Sequence, residues 1–185
     1  MQDSKYLKDL QMRVQLGEKL QYLCFWGHSP KHAQLVDKSC FSQWFPSRFE
    51  LDGIQYQSAE QYMMAQKAQL FADHDVFAQI IKCSDPKQVK ALGRLVKNYD
   101  EAKWLQHRFD IVVQGNLAKF SQNTELKAFL LSTSTKVLVE ASPVDKIWGV
   151  GLAAEDQQAE NPLQWRGLNL LGFALIQVRA QLLSA

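Results

Sequence analysis

The segment FELDGIQYQSAEQYMMAQKAQLF, residues 49–71, is where local sequence speaks most plainly about fold. Asp52 and Gly53 are residue types that tolerate positive φ, and alternating side chains flank them, which predicts a β-hairpin over residues 49–56. Ser58 then opens a helix. Its hydroxyl can cap free amides of the first turn, and Gln61, three residues on, completes a capping-box pattern. Strong helix formers carry the helix onward through Lys67.

Outward from this segment, helical signals dominate. Residues 1–20 place Tyr6, Leu7, Leu10, Val14 and Leu20 at helical spacing, which predicts an appended N-terminal helix. YLCFWGH, residues 22–28, reads as a strand, and residues 29–47 as a long loop. Asp73 begins a helix ending near Cys83. Asp85-Pro86 begins another, with proline where its missing N–H is harmless. Asp100 caps a long amphipathic helix through Trp104, Ile111 and Leu117 to Phe120, and Asn123 caps a shorter one. KVLVEA, residues 136–141, reads as a strand, a Gly-rich loop follows, and a helix from about Asn169 to Leu183 ends the chain. The fold class is predominantly α with a small antiparallel sheet (α+β). A helical extension over 1–20 precedes one domain over 21–185. No βαβ alternation is present, which argues against a dinucleotide-binding fold.

Composition narrows the classes further. Of 185 residues, 46% are hydrophobic and 22% charged, ordinary for one globular core, and the net charge is +2. That small excess does not describe a general nucleic-acid binder, although a nucleic-acid substrate gripped locally stays open. Three cysteines at no metal-like spacing suit a reduced, intracellular protein. No apolar run reaches the roughly 20 residues of a membrane-spanning helix, and the N-terminus lacks a secretion signal, so the expected location is the cytoplasm.

Three clusters carry candidate chemistry. Glu60 and Lys67 lie nearly two turns apart on one helix, on the order of 10 Å along its axis, with Met63 and Met64 between them. A partly buried lysine becomes a neutral nucleophile near pH 7, and a carboxylate in the first turn is held as an anion by the helix dipole. The plainer alternative is a helix-end charge and a solvated lysine. Second, residues 140–151 run from a strand into a loop holding Asp145, Trp148, Gly149 and Gly151. Trp148 offers a face for a base, Asp145 can bind ribose hydroxyls or orient water, and the glycines permit close backbone approach. Alternatively, Trp148 belongs to the core and Asp145 caps a turn. Third, Gly167 and Asn169 precede the last helix, where free amides can meet a phosphate, although many loop-to-helix junctions look alike. Arg48, Arg94 and Lys97 are further phosphate candidates. His28 and His32 are split by Pro30, and there is no H-E-x-x-H, phosphate-loop or nucleophile-elbow motif, so no zinc site is expected.

Read together, the motifs FWGHSP (25–30), FSQWFPSRFELDGIQYQSAEQYMMAQKA (41–68), ALGRLVKNYDEAKW (91–104), KFSQNTELKAFLLST (119–133), LVEASPVDKIWGVGL (138–152) and WRGLNLLGFALIQVR (165–179) resemble the NADAR, or YbiA-like, family. The resemblance covers roughly residues 22–183. It implies a mainly helical single domain and N-glycosidic cleavage of one of two substrate kinds. One kind is phosphorylated ribosylamino-pyrimidine intermediates of riboflavin synthesis; the other is ADP-ribose attached to guanine bases in nucleic acid. It also implies Glu60 and Lys67 on the active-site helix, with Trp104, Asp145 and Trp148 around the pocket. The expected catalytic set is Glu60, Lys67 and Asp145. Trp104, Trp148, Gly149, Gly151, Arg48 and Asn169 are the expected binding residues. Either a carboxylate-activated water or a Schiff base on Lys67 would serve, and neither route needs a metal or redox cofactor. A non-catalytic ADP-ribose or nucleotide binder using the same pocket is the alternative from another class.

Overall fold

The computed structural model describes residues 3–30, 32 and 35–184. Residues 1–2 of the expected extension and Lys31, Ala33 and Gln34 of the expected loop lie outside the described residues. In chain order the elements are α1 (Asp3–Gln15), β1 (Tyr22–Phe25), β2 (Phe49–Leu51), β3 (Ile54–Tyr56), α2 (Ala59–Leu70), α3 (His74–Lys82) and α4 (Pro86–Arg94). Then come α5 (Glu101–Gln122), α6 (Thr124–Ser132), β4 (Val137–Glu140) and α7 (Leu170–Ser184), with short 3-10 turns at Lys38–Phe41, Gln157–Glu160 and Pro162–Gln164. Two compact units result: residues 43–127 form one, and the chain on either side of them forms the other.

In the 43–127 unit the predicted hairpin forms, with Phe49 opposite Tyr56 and Leu51 opposite Ile54. Asp52 (φ 53°) and Gly53 (φ 74°) both take left-handed backbone, the conformation a tight hairpin turn requires. The hairpin docks through rings. Phe49 stacks on Tyr56 at 5.7 Å, and Tyr56 meets Tyr62 of α2 edge-on at 5.1 Å. Helix α2 is flanked by α3, α4 and α5. At Gly93 on α4 a Cβ would overlap Met64 Sδ, and at Gly115 on α5 it would lie 2.5 Å from Tyr62 Cδ1, so both neighbours approach α2 at bare backbone.

The caps of this unit follow the sequence reading with two departures. Ser58 Oγ accepts from Gln61 N, Asp73 Oδ1 accepts from Val76 N, and Asp100 Oδ1 accepts from Lys103 N. The Gln61 side chain, however, does not return to Ser58. Its Oε1 accepts from Gln57 N at 2.7 Å, while Nε2 donates to Ile80 O and Cys83 O at the end of α3. Buried at 1% exposure, that amide satisfies carbonyls a helix end leaves open, so the reciprocal bond lands one residue early. Asn123 likewise is not a side-chain cap of α6: its amide donates to Arg48 O and Lys119 O, joining the hairpin entry to the end of α5.

In the other unit β1 and β4 pair parallel, from Tyr22 opposite Val137 to Phe25 opposite Glu140. The antiparallel pairing expected from sequence therefore describes the hairpin alone. Strands separated by the whole 43–127 unit have no tight turn to reverse them, and a crossover of that length permits the parallel arrangement. Helix α7 packs on β4 at Gly172, where a Cβ would overlap the Leu138 carbonyl oxygen. Helix α1 belongs to this unit: Tyr6 stacks on Phe173 at 5.7 Å, Leu10 is buried, and Gln11 Nε2 donates to Pro162 O. Among the described residues no helix is long and apolar enough to cross a membrane.

Gly172→Ala should lower stability by about 2 kcal/mol or more, because the obstacle is a strand backbone that cannot rotate away. Thermal unfolding should register this as a Tm drop of about 4 °C or more. An unchanged Tm would mean α7 can lift off β4 without loss.

Candidate active site

The two candidate residues of α2 are held very differently. Glu60 is 3% exposed, although charged residues rarely bury unless engaged, and its backbone N–H donates to Gln43 O at 2.9 Å. Gln43 Oε1 in turn accepts from Asn116 Nδ2 at 2.8 Å, so loop, α2 and α5 meet in a buried polar cluster. Gln43 Nε2 and Asn116 Oδ1 are buried there with no hydrogen-bond partner among the described residues, a donor and an acceptor suited to a ligand hydroxyl. The reading of Glu60 as a mere solvated helix-end charge does not fit this burial.

Lys67 is half-buried in the last turn of α2. Its Nζ donates to Gly93 O at 2.8 Å and lies 4.5 Å from the Tyr99 ring centroid and 5.7 Å from that of Trp104. Two effects oppose each other here. Aromatic faces favour the ammonium, whereas removal from water favours the neutral amine. Burial dominates and pushes the Lys67 amine below the usual lysine value of 10.5. Trp104, expected near the pocket, is the more buried of the two rings at 8% exposure. Tyr99 was not signalled by sequence; it follows Asn98, whose φ of 55° turns the chain into α5.

The loop after β4 is built around Asp145. One carboxylate oxygen accepts from both Ile147 N and Trp148 N at 2.8 Å, the turn-capping arrangement, and Trp148 is half-buried. Gly149 is required by packing: a Cβ there would stand 2.8 Å from Glu140 O and 3.0 Å from Asp145 O. Gly151, at φ 70°, would bring a Cβ to 3.1 Å from Arg166 Cβ. Both glycines thus serve close approach of this chain to itself.

The third cluster follows its plainer reading. Amides of residues 168–171, which the sequence left as either open to a phosphate or part of an ordinary loop-to-helix junction, donate to the carbonyls of Lys146, Gly149, Ile147 and Trp148. The start of α7 is closed by the preceding loop. Asn169 is fully buried at φ 55°, with Oδ1 accepting from Glu140 N and Nδ2 donating to Leu138 O. Its side chain works as a pin between α7 and β4, positioning Glu140.

Arg48 is exposed, and its Nε donates to Gln57 Oε1 at 3.0 Å on the hairpin side of α2. Among residues the sequence reading passed over, Lys119 stands out. It is fully buried on α5, 5.6 Å from the Phe45 ring centroid and 5.2 Å from that of Phe120. Its signal was present, since Val112, Asn116 and Lys119 fall at i, i+4 and i+7 on one helix face.

The NADAR domain model matches residues 24–183. The chain is 48% identical over 168 residues to N-glycosidase R617 of Acanthamoeba polyphaga mimivirus, covering 87% of this chain and 96% of that protein. It is 30% identical over 146 residues to N-glycosidase YbiA of Escherichia coli strain K12, covering 79% and 81%. The NMR structure of Escherichia coli YbiA superposes with a TM-score of 0.72 at 27% identity, over 90% of this chain and 88% of that one.

Because a single carboxylate oxygen of Asp145 holds the turn, Asp145→Asn should keep it and Asp145→Ala should lose it. The expected cost is about 1 kcal/mol for alanine and near zero for asparagine, read from chemical denaturation. Equal losses in both would assign the turn to the charge instead.

Proposed function

The chain belongs to the NADAR domain family, and from that premise we propose that it is an N-glycosidase, a hydrolase cutting the bond between a ribose carbon and a nitrogen. The observation that carries this reading is the half-buried Lys67 amine, lowered in basicity, on the same helix as the buried Glu60. An amine whose basicity burial lowers gives up its proton more readily to become a nucleophile, and a carboxylate at the start of the same helix is the proposed proton carrier.

In the proposed reaction the Lys67 nitrogen forms a bond to the anomeric carbon as the bond to the base nitrogen breaks, and its electron pair leaves with the base. The new ammonium gives its proton to water and the departing nitrogen takes one, with Glu60 the proposed shuttle through water across the interval between the two side chains. The sugar ring then opens to a protonated Schiff base, its ring oxygen taking a proton. Water adds to the imine carbon, and expulsion of the amine returns Lys67 and frees the sugar. Net, one water is consumed and one C–N bond is cut. Gln43 and Asn116 offer a donor and an acceptor for ribose hydroxyls, and Trp104 fixes the amine. For the 140–151 loop the proposal is that Asp145 contributes charge to the reaction as well as a turn, that Trp148 stacks on a base, and that Gly149 and Gly151 offer amides to phosphate. Arg48 is assigned to substrate phosphate.

The substrates proposed are ADP-ribose on guanine bases of nucleic acid and phosphorylated ribosylamino-pyrimidines. Turnover of both, side by side, separates them: release of ADP-ribose alone names the first, and release of ribose phosphate alone names the second. Binding of ADP-ribose with no turnover of either would replace the enzyme by a binder.

Three results should accompany turnover. Borohydride should trap a covalent sugar adduct on wild-type protein and none on Lys67→Ala, whose rate should fall at least a hundredfold. Activity should rise with pH as the neutral amine becomes populated, along a limb below the 10.5 of a free lysine. Asp145→Asn should keep its Tm yet lose activity. An unaffected Lys67→Ala would sink the lysine route.

A further inference from the structure

Tyr99 is held from both sides of the short link between α4 and α5. The Lys97 amide donates to Asp73 Oδ2, Asn98 turns the chain at φ 55°, and Asp100 Oδ1 then caps α5 through the Lys103 amide. The Tyr99 ring meets Phe71, the residue that closes α2, at 5.3 Å and 60°. This seat brings it over the last turn of α2, where its centroid lies 4.5 Å from Lys67 Nζ.

Three groups surround that nitrogen. Gly93 O accepts from it at 2.8 Å, in the last turn of α4 where carbonyls lack helical partners. Trp104, 8% exposed and 5.7 Å away, is the floor; Tyr99, 46% exposed and nearer, is the wall on the water side. Both rings lie within the roughly 6 Å over which an aromatic face attracts a cation. A carbonyl accepts from ammonium and free amine, whereas a ring face favours only the charged form. The charges nearest this spot act on other groups. From α5 and its cap, Asp100, Glu101 and Arg108 act on the Tyr99 hydroxyl, and Lys103 Nζ donates to Leu70 O. On α4, Lys87 and Arg94 are exposed and Lys90 lies by Trp44; on α3, His74, Asp75 and Lys82 are exposed; β3 brings the buried Tyr56. Burial, rather than any of these charges, lowers the Lys67 amine.

We propose that Tyr99 is a positioning residue for Lys67: its ring grips the ammonium from the water side and seats Nζ on the Gly93 carbonyl, so that the free amine appears only as this grip is overcome. The ring has two opposed effects on the same nitrogen. As a cover it keeps water away, which favours the neutral amine; as a π face it favours the charged one. Removing the face while keeping the cover therefore frees the amine at lower pH. The grip stands on the geometry alone; only its bearing on turnover rests on the N-glycosidase reading.

Reductive methylation of the full chain with formaldehyde and cyanoborohydride tests this without any turnover, because only the neutral amine reacts. The rate at Lys67 across pH, read by peptide mass spectrometry against the exposed Lys87, gives a midpoint. Tyr99→Leu, which keeps a cover without a ring, should lower that midpoint and speed Lys67 about three- to tenfold near pH 7. Tyr99→Phe should stay within about twofold of wild type. Phenylalanines of the same outline carrying successively more fluorine at position 99 should lower the midpoint step by step, which a packing defect does not do. A faster plateau with an unmoved midpoint would make Tyr99 a steric cover only and overturn the proposal, as would a raised midpoint or one indifferent to fluorination. In turnover, the rising limb of activity in Tyr99→Leu should shift to lower pH with the midpoint, and a limb that stays in place overturns the role in the reaction. Failed turnover with a shifted midpoint would remove the enzymatic reading and leave the grip of Tyr99 on Lys67 standing.

Discussion

One buried amide sets the frame on which the candidate chemistry hangs. Gln61 closes the start of α2 with one end and gathers the last carbonyls of α3 with the other. Gln61 itself is buried, so each of these bonds satisfies a polar group that would be costly to leave open. With that end fixed, Glu60 is committed to the interior beside Gln43. The helix then runs rigidly to Lys67 under the rings of Tyr99 and Trp104. A polar residue in a core usually narrows the arrangements a chain can adopt, and here it fixes which way the α2 faces point.

Local signals in the sequence did well where the deciding contact lies within a few residues. Asp52-Gly53, Ser58, Asp73, Asp85 and Asp100 each act on backbone within three positions, and their elements form where expected. What local reading leaves out shares the opposite property. The parallel pairing of β1 and β4, the diversion of Gln61 to α3 and of Asn123 to Arg48 O all depend on partners distant in sequence. The closed start of α7 is of the same kind, since the loop that takes its amides lies twenty residues upstream.

Legibility of the candidate site divides in the same way. Burial of Lys67 could be anticipated from the methionines beside it, but the rings that surround its amine come from segments thirty residues later. Asp145 reads from sequence as either an acid or a cap, and its hydrogen bonds establish the cap. Lys119 was overlooked because a lysine at the end of an amphipathic helix usually reaches water. Only its place in the i, i+4, i+7 series with Val112 and Asn116 marks it as interior.

The parallel pair of β1 and β4 bears on the order in which the chain assembles. Tyr22 and Val137, its first register pair, stand 115 positions apart (137 − 22), and an entire compact unit is interposed between them. Closing a loop of that length from an unstructured chain carries an entropic cost that grows with the logarithm of its size. Prior collapse of residues 43–127 leaves only residues 26–42 and 128–136 as loose chain between the two strands. During synthesis β1 emerges early and finds no partner until β4 has left the ribosome. In that interval β1 is an unpaired edge, and the polar reach of Lys38 onto the Cys24 carbonyl is among the few bonds available to blunt it.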